Sequence, residues 1–254
     1  IHGIVRDSQG RKMSKTLGNG VDPIEVIDEY GADSLRFSVL SGTTMGNDIR
    51  YMPEKLEQAS NFANKMWNAA KFIIMNMPEK EKLIKFREEN YNEKENSYKE
   101  GSLKLEDKWI INKTNKLVSE ITTNIDNYDL GIAIDKLYSF IWNEFCDWYI
   151  EFAKISLYNG TDEEKVQTAY VLNEVFRTCL KLLHPFMPFV TSEIYNDLVN
   201  YDDKDLMVSE WPKAKSEDGK FEYDFEEEII EKIKEIIVEI RNVRSTKNIH
   251  PSKK

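Results

Sequence analysis

Two lysines, a serine and a threonine fall within the run Lys12-Met13-Ser14-Lys15-Thr16, which Gly10, Gly18 and Gly20 flank. Residues of these types can hold a triphosphate while negative charge builds on it. Ammonium groups on long flexible stems follow a moving phosphate and stabilise charge that develops in a transition state. Lys12 and Lys15, three apart, can fall on one side of a tight turn. The Ser14 hydroxyl or a backbone N–H then donates to a phosphate or steadies the loop. The glycines permit the turns and close approach, and Met13 reads as the inward apolar anchor.

The elements around the loop have to hold it in place. Ile4-Val5-Arg6 is a short extended candidate and residues 7–10 a turn. Asp22 reads as the cap of a helix with Pro23 at its first position and Glu25 as capping-box partner, ending at Gly31. Asp33 reads as the cap of a second helix through Leu35, Val39 and Leu40, ended by Gly42. Arg6 and Asp7 pair locally or orient the loop, Arg50 reaches a phosphate or braces the junction, and His2 reads as structural.

From Pro53 the chain is patterned as helices. Ala59, Phe62, Met66, Ala69, Ile73 and Met77 recur at three and four, and Pro78 ends that run. Residues 79–102 are charged and weakly patterned, which predicts a solvated, mobile connection with a helical turn around Leu83 to Phe86. A helix over about 103–126 places Ile110, Thr114, Leu117, Ile121 and Ile125 on one stripe. Asp129 can cap the next, where Ile134, Leu137, Ile141, Phe145, Trp148, Phe152 and Ile155 form the strongest stripe of the chain. Trp148 is therefore expected in the core. Thr161 and Glu164 form a capping-box signature before Ala169, Leu172, Phe176, Cys179 and Leu183. Pro185 ends that helix, leaving His184 as a satisfied corner histidine. Pro188 starts a short one with Phe189, Ile194, Tyr195 and Leu198 inward.

The fold class expected is mainly α: an antiparallel bundle of four long helices and one short one, preceded by a small mixed α/β junction. Residues 201–223 read as an irregular strap along the bundle. A last helix over about 224–246 carries Ile229, Ile233, Ile236, Ile240 and Val243. That stripe docks on the bundle or awaits a further segment.

Composition limits the functions available. Lysine and arginine number 35 against 45 aspartates and glutamates, a formal charge of −10. The charge gives no direct support for nucleic-acid binding, although phosphates are met by local patches rather than by net charge. The two cysteines, Cys146 and Cys179, lie far apart in apolar helical stretches, so they read as reduced core packing rather than metal ligands, in keeping with a reducing cytoplasm. No run approaches the length of a membrane span. The helix from Pro53 carries Asn64, Lys65, Asn68 and Lys71 around its apolar face, with Phe72 off the main stripe. Amides can pair with exposed base edges, aromatics can stack on unpaired bases and lysines can meet phosphates. The same residues would also serve to cover a wet helix face. Arg241 and Arg244 share a face of the last helix and could clamp phosphates, or simply complement the helix dipole.

The loop, with "GRK" before it and "LGNGVDP" after it, resembles the second signature loop of the class I aminoacyl-tRNA synthetases. "SGTTMGNDIRY", "NFANKMWNAAKF", "DKWI", "LYSFIWNEFCDWYIE", "LLHPFMPFVTSEIY", "EWP" and "IRNVRS" extend the resemblance over nearly the whole chain, to the valyl-tRNA synthetase family. The resemblance implies catalysis by Lys12 and Lys15, the latter the more critical, and ATP binding by Lys12, Ser14, Lys15 and Thr16. Thr16 departs from the commonest form, which has serine, but keeps the hydroxyl. It implies a signature-loop and stem-contact junction over 1–52, an anticodon-binding bundle over 53–223, and a helix over 224–254 leading to an outer domain. Asn64, Lys65, Asn68, Lys71, Phe72, Arg241 and Arg244 become candidates for tRNA contact. The implied intact enzyme is cytoplasmic and joins L-valine to valine tRNA using ATP with magnesium; neither DNA nor membrane is a partner. It implies too that the nucleotide-binding fold and editing domain lie before Ile1, so that the 254 residues alone are inactive. Isoleucyl- and leucyl-tRNA synthetases share the architecture, and a helical protein-interaction module is the alternative of another class.

Overall fold

The computed structural model describes residues 3–44, 46–92, 97–199, 204–215 and 221–249. His2, the tail lysines and parts of the 201–223 strap lie outside them. Among the described residues the fold is mainly helical, as expected, with two small two-stranded sheets. Strand β1 (Val5–Arg6) pairs in parallel with β2 (Ile49–Arg50). Gly3 lets the strands meet, since a Cβ there would stand 1.9 Å from the Asn47 carbonyl oxygen. Helix α1 (Pro23–Tyr30) starts with the expected proline and cap: Pro23 is its first residue and the Asp22 carboxylate accepts from the Ile24 N–H at 2.9 Å, while Glu25 shows no capping-box bond back to Asp22. Gly31, at φ 86°, turns the chain into α2 (Ala32–Leu40).

Asp33 does not cap α2. It lies inside that helix, and its carboxylate accepts the N–H groups of Phe189 (3.3 Å) and Val190 (2.6 Å) at the start of α9 (Pro188–Asp197). The inward face of α2 is set by Phe37. Ser34, Phe37 and Ser38 are buried and Val39 is exposed, because Phe37 packs on Phe62 and Tyr138 with ring centroids 5.4 and 6.3 Å away.

Helix α3 (Pro53–Met75) buries Ala59, Phe62, Met66, Ala69 and Ile73 as read, and adds Leu56 and Ala70. The described part of the segment 79–102 holds more regular structure than expected. It forms α4 (Lys80–Asn90), β3 (Tyr91–Asn92) and β4 (Ser97–Tyr98), with Leu83 fully buried. Phe86 and Tyr98 lie against Tyr170 with centroids 5.1 and 6.3 Å apart, an aromatic contact that a charge-rich reading hides. Helix α5 (Leu105–Asp126) follows.

The strong stripe of the next helix holds only halfway. Helix α6 (Leu130–Ser139) runs into a π-helical segment (Phe140–Tyr149) and then α7 (Ile150–Asn159). The i→i+5 spacing of that segment shifts the inward register. Ile134, Leu137, Ile141 and Phe145 are buried, but Tyr149, Ala153 and Leu157 then take over; Ile155 is 65% exposed and Trp148 and Phe152 are half-buried. Asp129 precedes α6 without a side-chain cap bond. Helix α8 (Asp162–Leu183) has the complete Thr161–Glu164 capping box and buries every stripe residue named for it. On α9, Ile194, Tyr195 and Leu198 point inward but Phe189 is exposed, and Thr191 takes the inward place.

The strap lies on the bundle as expected, where Leu206 is buried and Trp211 Nε1 donates to Thr122 Oγ1 at 2.9 Å. Helix α10 (Asp224–Thr246) docks on α5, but through the face opposite to its apolar stripe. Ile230 and Lys234 are buried, while Ile236, Ile240 and Val243 stay exposed. Lys108, Asn112, Lys113 and Lys116 of α5 meet Glu226, Asp224, Glu227 and Glu231 of α10 at 2.7–2.9 Å.

Asp107 is wholly buried where α5, α8 and the π-helical segment meet. It accepts from Tyr149 Oη at 2.6 Å and Gln167 Nε2 at 2.7 Å. Burial pushes its carboxyl up from the ordinary 3.8 to about 6. Since the folded value lies above the unfolded one, this contribution to stability is full below about pH 4 and is lost as pH rises through about 6. Asp107→Asn removes the proton but keeps the acceptor for Tyr149. The stability of the native protein relative to Asp107→Asn should therefore fall by about 3 kcal/mol between pH 4 and 7. Urea unfolding across that range checks it, and parallel curves for the two proteins would refute it.

Candidate functional site

The basic loop leaves β1 through a turn built on Asp7. The Asp7 carboxylate accepts from Gln9 N (3.1 Å), Arg11 N (2.8 Å), Arg11 Nε (2.8 Å) and Asn19 Nδ2 (3.0 Å). The Asn19 amide and the Arg11 contacts hold its pKa down at about 2, against the opposing effect of burial. Arg6 pairs with Asp48 instead of Asp7. Ser14 Oγ accepts from Leu17 N at 3.3 Å, a bond that steadies the loop and leaves the hydroxyl proton to donate elsewhere. Gly18, at φ 64°, closes the turn with its N–H on the Lys15 carbonyl at 3.2 Å.

Lys12, Lys15 and Thr16 are exposed, and Met13 is half-buried beneath them. The side chains of Lys12, Lys15 and Thr16 thus stand open to solvent. Arg50 lies beside the loop, with its guanidinium 3.5 Å from where a Cβ on Gly10 would stand. Asn19 was not singled out from the sequence. The signal that could have found it is an amide in a turn-forming stretch, able to donate and accept at once.

The α3 candidates divide in two. Asn64, Asn68 and Lys71, spaced four and three apart, are exposed and share a face that ends at Met75, 84% exposed. Lys65 and Phe72 are engaged. Lys65 Nζ lies 2.6 Å from Asp147 Oδ1 and 3.9 Å from the centroid of Trp142, whose ring stacks on Tyr138. Phe72 is half-buried, with Lys154 Nζ 5.6 Å over its ring. On α10, the guanidinium of Arg241 lies 5.1 Å over Trp148, so that it covers a half-buried ring. Arg244 is half-buried.

His184 is the corner histidine expected, with Nδ1 2.9 Å from Thr191 Oγ1 and its pKa lowered by burial. Cys146 and Cys179 are buried free thiols, and burial raises the former to about 12. Among the described residues, no group of three or more His, Cys, Asp or Glu side chains could hold a metal ion. None of the described helices is long and apolar enough to cross a membrane.

Residues 107–254 match the family described as the anticodon-binding domain of tRNA ligase, and residues 1–52 match the class I tRNA synthetases (I, L, M and V). The first match takes in more than half of the chain, which therefore belongs to the anticodon-binding domain family of tRNA ligases. All of the chain aligns with the valine–tRNA ligases of Clostridium perfringens (46% identity) and Clostridium acetobutylicum (48%). It spans 27% of the length of each, about a quarter. Among solved structures, the Agrobacterium radiobacter K84 agnB2 LeuRS–tRNA–LeuAMS complex aligns at TM-score 0.60 and 20% identity, over 84% of this chain and 23% of that one. Mycobacterium tuberculosis methionyl-tRNA synthetase aligns at 0.57 and 22% identity, over 76% of this chain and 36% of the other. These two likenesses establish the fold.

The division on α3 leads to a test. Lys65→Ala should lower the unfolding free energy by about 1 kcal/mol, through loss of its ion pair and ring contact. Asn64→Ala and Asn68→Ala should each stay within about 0.5 kcal/mol of the parent. Urea midpoints decide it, and equal losses at all three positions would mean that the asparagines are not free.

Proposed function

We propose that the chain is part of a valine–tRNA ligase. In this reading the 1–52 segment stabilises the triphosphate of ATP and the helical bundle docks the anticodon arm of valine tRNA. The observation that carries it is the alignment of the whole of this chain with about a quarter of two valine–tRNA ligases at 46–48% identity, through both the two-lysine loop and the bundle. The carboxylate of L-valine attacks the α-phosphorus of ATP, pyrophosphate leaves, and the aminoacyl group passes to tRNA. Charge grows on the departing pyrophosphate, and Lys12 and Lys15 are placed to meet it, with Ser14 holding the turn and Thr16 offering a hydroxyl. The loop itself fits a polyphosphate: its exposed tip presents two ammonium groups and no carboxylate. Magnesium would enter with the phosphates as their counter-ion. The anticodon is an unpaired stretch, and the α3 face of Asn64, Asn68 and Lys71 offers amides to base edges and an ammonium to phosphate. Phe72, half-buried, and Lys65, held by Asp147, flank that face, and Arg241 and Arg244 would supply a second, outer contact in this reading.

The test is a fluorescence-anisotropy titration of the 254-residue chain with valine tRNA, and with the same tRNA carrying an isoleucine anticodon. The valine form should bind more tightly. Asn68→Ala should narrow that preference about fivefold, the worth of one hydrogen bond. Lys71→Ala should weaken both tRNAs alike and reduce the salt slope by about 1. Equal binding of the two tRNAs, unaffected by Asn68→Ala, would remove α3 from anticodon reading.

A further inference from the structure

We propose that Asp7 and Asn19 are positioning residues that close the basic loop into a preformed cradle and act on catalysis only through the lysines it carries. The inference rests on the reading of the loop as a triphosphate site. It starts from a difficulty that the exposed tip creates. Lys12, Lys15, Thr16, Leu17 and Gly18 are all exposed, and long side chains on a loose loop lose much conformational freedom when they grip an anion. A loop held in shape beforehand has already met part of that cost, and positioning errors of about 1 Å are enough to slow a reaction on the order of a hundredfold.

One carboxamide provides the hold. Asn19 Nδ2 reaches back across seven residues to the Lys12 carbonyl at 3.3 Å and also donates to Asp7 Oδ2 at 3.0 Å. Its Oδ1 accepts from the Ser14 backbone N–H at 3.0 Å. The backbone at both Lys12 and Ser14 is therefore tied to a single side chain, and Lys15 follows directly on. Asp7 anchors that side chain in turn. It is 9% exposed, its own N–H donates to the Arg11 carbonyl at 2.9 Å, and it directly follows Arg6, whose strand pairs with β2 just ahead of α3. The chemistry is specific to an amide. Asn19 uses donor and acceptor together, whereas aspartate at 19 would set a second carboxylate against Asp7 and against a carbonyl. Alanine would release all three bonds.

The experiment measures valine-dependent ATP–pyrophosphate exchange by the intact ligase that contains this segment, in the parent, Lys15→Ala, Asn19→Ala and the double variant, with Asp7→Asn as a second probe of the strut. Asn19→Ala should lower kcat for exchange on the order of tenfold to a hundredfold. KM for valine and the thermal midpoint should stay near parent values. In the Lys15→Ala background the same change should cost less than it does in the parent, because one of the two lysines it positions is already gone. Asp7→Asn should reproduce the kcat loss. If Lys15→Ala slows exchange and Asn19→Ala does not, or if the two losses multiply, the strut is overturned and the loop reading survives. If Lys15→Ala itself leaves exchange unchanged, the loop reading falls and the strut with it.

Discussion

Asp33 places its two carboxylate oxygens on the first free N–H groups of α9, 156 and 157 residues further along the chain. Three residues on, Arg36 donates to the carbonyl oxygens of Pro185 (3.0 Å) and Phe186 (3.2 Å), at the C-terminal side of the same corner. One helix thus satisfies orphan donors and orphan acceptors at a single turn of the bundle. The signs suit the helix dipoles, with an anion at the start of α9 and a cation at the end of α8. Asp33 is nearly buried, so the contact is little screened by solvent. The same joint is closed from the other side by Gly131, where a Cβ would stand 2.2 Å from the Thr43 carbonyl oxygen, and by Lys55 Nζ on the Ser41 carbonyl at 2.7 Å. The basic loop is carried by β1 and β2, and β2 leads through Tyr51 and Met52 directly into α3. The same loop-bearing segment is tied to the α8–α9 corner at that joint through α2.

The far end of the fold is assembled differently. Helix α10 docks mainly through charges, around a small apolar centre of Ile230 and the fully buried Trp109. Lys234, almost buried, lies 2.6 Å from Glu144 and 3.0 Å from Glu231, with its ammonium 4.9 Å from the Trp109 ring. Burial works against a charged Glu231, yet donors from Lys113, Trp109 and Lys234 hold its pKa at about 2. Buried ion pairs add little net stability when their desolvation is counted, but removing one member leaves the other costly. The network therefore fixes the register of α10 on α5 more than it adds to stability. It also leaves Ile236, Ile240 and Val243 facing water.

What the sequence made legible was local. The Thr161–Glu164 capping box, the proline at the start of α1 and the stripe of α8 depend on residues within a few positions of one another, and each appears where the pattern puts it. The two-lysine loop was legible for the same reason. What was misread depends on distance or on a change of helical period. Asp33 had the composition of a cap, but its helix lay across the fold. The stripe from Ile134 to Ile155 assumed one period throughout, and the π-helical segment moved its second half off the core. Of the two readings of the α10 stripe, docking on the bundle does not hold, because the docking face is mainly charged and most of the stripe stays exposed. The division of the α3 candidates, with Lys65 committed to Asp147 and Asn68 free, follows from a partner 82 residues away that no spacing rule reveals.

The most direct measurement of the central claim, that the loop-bearing segment is held to the bundle by the Asp33 and Arg36 contacts, is residue-resolved amide hydrogen exchange on the parent chain and on Asp33→Ala. The account predicts that the substitution lowers protection at Phe189 and Val190 and, together with them, at Ile49 and Tyr51, whose N–H groups bond to Ile4 and Arg6 in the sheet under the loop. Loss of protection at Phe189 and Val190 alone, with Ile49 and Tyr51 unchanged, would contradict it.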